Sequence, residues 1–101
     1  ACHKPSLPAG GELISPFTDL LLHDMGPELA AEANELSQAA EWRTAPLWGL
    51  AMVRFYLHDG RATSLEEAIL WHGGEAAQSV SAYGQLTASE REILHSWLHR
   101  L

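Results

Sequence analysis

The sequence predicts an all-α domain of several short helices joined by long irregular connections. Three observations carry that expectation. Leu65, Ala68, Ile69 and His72 recur at i, i+3, i+4 and i+7, which puts all four on one face of a helix. Ile93, Leu94, Trp97, Leu98 and Leu101 make a second stripe at helical spacing. Both stripes follow a helix-start signature, since Ser64 with Glu67 and Thr87 with Glu90 have the form of a capping box. In that motif each side chain satisfies a backbone N–H at the helix start. No stretch reads unambiguously as a strand.

In chain order, Lys4–Ser15 is rich in proline and glycine and reads as an ordered loop. Phe17–His23 is a short apolar segment that periodicity leaves open between helix and strand. Asp24-Met25-Gly26-Pro27 breaks it, and Pro27 suits the first position of a helix over Glu28–Glu35. The region to Ala40 is expected to be exposed. Pro46 suits the start of a helix to about Arg54, with Leu47, Leu50, Trp48 and Met52 inward. Asp59-Gly60 is a turn. The central helix starts at the Ser64 cap and is stopped by Gly73-Gly74 directly after His72. A short helix over Glu75–Tyr83 ends at Gly84, and a terminal helix runs to about Arg100.

At 101 residues the chain is one small domain, able to form a single core but marginal without help. Its four tryptophans suit a chain that gains stability by wrapping a large apolar cofactor. The net charge of −7 argues against nucleic acid or an anionic membrane surface, and is compatible with a basic redox partner. A single cysteine excludes an internal disulfide and gives no compartment. The sequence contains no signal peptide and no run of eighteen apolar residues, so membrane insertion is not expected.

Two places carry chemistry. His72 closes an apolar helix face, where a buried imidazole needs a partner: a backbone carbonyl at the helix end, or a metal. Ala1-Cys2-His3 matches the last two residues of Cys-x-x-Cys-His, the c-type haem attachment motif, whose first cysteine would precede residue 1.

FYLHDGRATSLEEAILWHGGEA, with FTDLLLHDMGPELA and EWRTAPLWGL, resembles the C-terminal haem domain of the bacterial di-haem oxidoreductases, relatives of the di-haem cytochrome c peroxidases. The resemblance spans about residues 1–101, with a variable middle around Ala31–Ala40. Arg43, Pro46 and Leu47 match the family's R-x-x-P-L run, and His58 and Gly60 its aromatic-His-x-Gly turn. Cys2 and His3 match the attachment motif. The residue fourteen positions after the turn histidine, methionine in the peroxidases, is His72 here.

The resemblance implies a small cytochrome c-like domain around one haem c, the C-terminal part of a larger periplasmic di-haem protein. Iron would be bound by His3 and His72, with Cys2 as the covalent link. Arg43 is the first candidate for a haem propionate partner, and Arg61 the second, because guanidinium is a planar fork matched to carboxylate. The alternative for Arg43 is an exposed charge beside Glu41. His58 is either a haem-edge residue or a ring bonded to its own turn backbone. Met25 and Met52 could bind iron axially, although Met52 reads as core filling. His95 and His99 have a zinc-compatible i, i+4 spacing, explained as well by cations near a helix C-terminus. Trp42, Trp48, Trp71 and Trp97 read as core.

The function expected from this set is electron transfer to or from a small redox protein or the N-terminal haem domain. Two other classes compete. One is a haem-free helical interaction module on the same scaffold, and the other a zinc or copper site using the six histidines.

Overall fold

The structure, a computed structural model, describes residues 1–31 and 38–101. It corrects the all-α expectation. Strands β1 (Leu7–Ala9) and β2 (Glu12–Ile14) form one antiparallel pair, and β3 (Leu22–Asp24) and β4 (Glu41–Arg43) another. Three helices follow: α1 (Leu65–Leu70), α2 (Ala77–Gln85) and α3 (Ala88–Leu98).

The supposed N-terminal loop is a hairpin in register Leu7↔Ile14 and Ala9↔Glu12. Gly10 and Gly11, at φ 60° and 87°, supply the two positive-φ residues whose twist suits a two-residue hairpin turn. Within Phe17–His23, a hydroxyl decides against helix. Thr18 is fully buried, its Oγ1 donates to the Thr44 carbonyl at 2.6 Å, and it accepts from the Leu20 N–H at 3.0 Å. Phe17 and Leu20 take positive φ to make that turn, at 54° and 61°, which no helix tolerates. The chain then leaves in extended form and pairs His23 with Trp42 and Asp24 with Glu41.

The helix expected from Pro46 to Arg54 is also absent. Gly49 sits at φ 77° and interrupts it, leaving one 3₁₀ turn over Leu50–Met52. Met52 is 88% exposed and Trp48 54% exposed, so neither points inward as expected. Trp97 is exposed as well. Of the helix over Glu28–Glu35, the described residues hold a 3₁₀ turn at Pro27–Leu29, and the remainder lies outside them.

The helix starts hold. Thr87 and Glu90 form a complete capping box at α3. At α1 the Ser64 Oγ accepts from the Glu67 N–H at 3.0 Å, but the Glu67 carboxylate takes the Thr63 N–H at 2.8 Å instead of reaching Ser64. Among the described residues the buried core is Leu29, Ala62, Leu65, Ala68, Tyr83 and Leu98. Leu20, Leu21, Leu22, Val53 and Phe55 are exposed, as is Trp48. The radius of gyration is 14.1 Å, somewhat above the ~13 Å of a closely packed chain of this size.

Candidate functional site

His3 and His72, far apart in sequence, lie with ring centroids 6.5 Å apart and planes inclined at 52°. The His3 Nδ1 donates to the Phe17 carbonyl at 2.9 Å, made available by the positive-φ turn at Phe17. The His72 Nδ1 donates to the Ala68 carbonyl at 2.7 Å, one turn back along α1. A carbonyl only accepts, so each Nδ1 carries the proton and each Nε2 keeps the lone pair in the neutral ring. Among the described residues the His72 Nε2 has no hydrogen-bond partner, and the Ala45 backbone is the weakest of the groups that act on the His3 ring. Burial holds the His3 pKa below its ordinary value, and the nearby His72 pushes the same way, so His3 is neutral at pH 7.

His72 is seated by glycines. Gly26, Gly73 and Gly74 pack backbone on backbone, and a Cβ on Gly73 would stand 2.8 Å from the Met25 carbonyl oxygen. One on Gly26 would stand 2.9 Å from the Gly74 nitrogen. The turn after His72 is thereby pressed against the end of β3. From the next position Glu75 reaches the same strand: its Oε1 accepts the Asp24 N–H at 2.9 Å and its Oε2 accepts from His23 Nδ1 at 2.9 Å. The other His23 nitrogen, Nε2, donates to Asp19 Oδ2 at 2.8 Å.

Both ring nitrogens of His23 face carboxylates, so the ring is an imidazolium. The Glu75 and Asp19 hydrogen bonds raise its pKa, and His23 and the Asp24 N–H lower that of Glu75. Burial alone would raise Asp19, but the Leu21 N–H and His23 outweigh it and hold this carboxyl far below the carboxylate range. Sequence reasoning passed over this triad. Its one legible signal was the Asp19/His23 spacing in a segment that turned out not to be helical.

Cys2 is a half-buried free thiol beside His3 in the chain. Its sulfur and ligand atoms of Asp19 and His23 lie within 4.8 Å of one another. That trio does not fit a metal, because His23 has already committed both nitrogens.

The other expected residues are placed differently. Arg43 is exposed at the end of β4, and among the described residues its guanidinium makes no hydrogen bond or ion pair. His58 stacks on Trp42, centroid to centroid at 3.9 Å and nearly parallel at 14°, and its Nε2 is 3.9 Å from Asp59 Oδ2. The ring therefore rests on β4, and no bond to its turn backbone is present. Arg61 is engaged: it bonds Asp59 at 2.7 Å and the Glu28 carbonyl at 2.7 Å, and covers Trp71 at 4.8 Å. His95 meets the Tyr83 hydroxyl at 2.9 Å, and His99 donates to the His95 carbonyl at 2.8 Å; among the described residues neither belongs to a group of three or more possible metal ligands.

The residues fit an axially ligated haem. Two imidazoles on opposite sides of one metal, each bonded at about 2.0–2.1 Å, have ring centres roughly 6 Å apart, close to the separation of His3 and His72. A metal-binding imidazole characteristically sends its other N–H to a carbonyl, as both do here.

Comparison with known proteins agrees with this geometry. The family model described as "Di-haem oxidoreductase, putative peroxidase" matches residues 3–101. Neither the curated proteins nor the solved structures give a match. The matched span includes both His3 and His72 and covers the helices and sheets alike, so the chain belongs to the di-haem oxidoreductase family.

Proposed function

We propose that this domain binds one haem c and relays electrons. His3 and His72 would be the axial ligands, and Cys2 the thioether link. The observation that carries the reading is the imidazole pair itself: two rings at ligating separation, each with Nδ1 tied to a carbonyl. The exposed Trp48, Val53 and Phe55 supply apolar surface for a porphyrin, and the exposed fork of Arg43, unpaired among the described residues, suits a propionate. His58, stacked on Trp42, belongs at the haem edge in this reading.

Haem supplies one-electron chemistry; this chain's residues decide which kind. With His3 and His72 both holding the iron, no position would remain for peroxide, and the domain would serve as a relay. Replacing the methionine of the related peroxidases by His72 removes the ligand that raises cytochrome c potentials, so a low potential is expected. The partner of this relay is a second, N-terminal haem domain of the same protein, or a small redox protein whose basic surface complements the net charge of −7. A periplasmic location belongs to the same proposal. An absorption spectrum tests it: a Soret band with sharp α and β bands on reduction supports haem c, and a protein silent above 300 nm after expression with haem maturation contradicts it.

A further inference from the structure

The Asp19–His23–Glu75 triad links the two places that orient the imidazoles. Asp19 lies two residues beyond Phe17, whose carbonyl holds His3, and its Oδ1 caps the same turn by accepting the Leu21 N–H at 3.0 Å. Glu75 lies three residues beyond His72, directly after the glycine pair seated on β3. His23 spans the gap with one nitrogen on each carboxylate, at 2.8 and 2.9 Å. Its bond to Asp19 is shielded from water, the Asp19 side chain being 4% exposed, so the contact persists where a surface ion pair would not. The loop around Thr18 and the turn after α1 share no covalent neighbourhood, and this charge-assisted bridge joins them.

We propose that Asp19, His23 and Glu75 are positioning residues for the axial pair, a strut that holds the His3 turn and the His72 turn at fixed separation and orientation. This rests on the axial assignment above and goes beyond it. Loosening the strut would let the His72 turn shift relative to the His3 turn. Axial bond geometry, and with it the reduction potential and the low-spin signature of the iron, would change.

The test compares the haem-loaded protein with its Glu75→Gln and His23→Gln variants, and with Glu92→Gln on the exposed face of α3 as control. Electron paramagnetic resonance of the ferric protein and a potentiometric titration are the readouts. The strut requires that both variants move the g values and the midpoint potential beyond the scatter of wild type and control. Variants that melt lower but keep the wild-type g values and potential would overturn it, leaving the triad a plain cross-link while the axial assignment stands. A wild-type protein without a two-imidazole low-spin signature would overturn the axial assignment and the strut together. Should either variant fail to fold, Asp19→Asn, which weakens the other end with a side chain of the same size, is read by the same criteria.

Discussion

Gly74 and Asp24 meet backbone to backbone, and a Cβ on Gly74 has nowhere to go but into the Asp24 carbonyl. Gly74 also sits at φ +50°, so a side chain there is strained on both counts. Gly74→Ala should therefore cost about 2–4 kcal/mol. Gly84, near the end of α2, has open space around its Cβ position and no positive φ, and Gly84→Ala should be neutral or gain about 0.5–1 kcal/mol. Urea denaturation of both variants in the same haem state checks the contrast. Equal midpoints would show that the glycine seat is not tight.

The His23 bridge should make part of the stability depend on pH. Its pKa is raised above the ordinary 6.5, so its contribution is complete below that value and is lost as pH rises through the higher folded pKa. Asp19 and Glu75 are held below their ordinary 3.8 and 4.5, so their contribution is complete above those values and lost as pH falls through the folded ones. His3 works in the opposite sense to His23, because burial lowers its pKa. The informative quantity is thus the stability difference between wild type and His23→Gln. It should be largest near pH 5–6 and shrink on the alkaline side. A difference constant from pH 5 to 9 would contradict the imidazolium assignment.

The fold should lean on its cofactor. Helix α1 has only six residues, and Trp48, Val53 and Phe55 stand in solvent. A haem that binds only the folded state adds stability by mass action. Protein expressed without haem should melt far lower than the haem-loaded form, or lose near-ultraviolet dichroism while keeping helical signal. Identical melting curves for the two forms would show that the scaffold is self-sufficient.

How far the sequence could be read depended on whether the deciding interaction was local. The cap at Ser64 and the box at Thr87 involve residues within a few positions of one another, and they stand. The expected helix ends do not: α1 closes at Leu70, before His72, and α2 runs through Gly84 to Gln85. The His3 and His72 pairing came from resemblance, since no local pattern joins residues so distant. The strands were missed because their causes are either very small or very remote. Gly10-Gly11 was a legible hairpin turn passed over in a proline-rich stretch. The β3–β4 pair depends on the buried Thr18 hydroxyl finding the Thr44 carbonyl. A helix after Pro46 was plausible from propensity, and Gly49 in the left-handed region overrode it. His58 was placed at the right turn, but its stack on Trp42 could not be seen without knowing that β4 runs beneath it.

If His3 and His72 hold the iron as proposed, this domain alone should turn over peroxide at a negligible rate. His72→Ala opens one position, and peroxidase activity should then rise at least tenfold in a steady-state assay of the haem-loaded protein. Strong activity in the unmodified protein would move the catalytic haem here and end the relay reading.

In the proposed relay, His72 and His3 hold one iron between them. Near-infrared magnetic circular dichroism of the ferric protein tests it most directly, because its charge-transfer band moves with the identity of the axial ligands. The wild type should show the band of two neutral imidazoles, replaced by another ligand signature in His72→Ala. A histidine–methionine band in the wild type, unchanged in His72→Ala and lost in Met25→Ala or Met52→Ala, would contradict it.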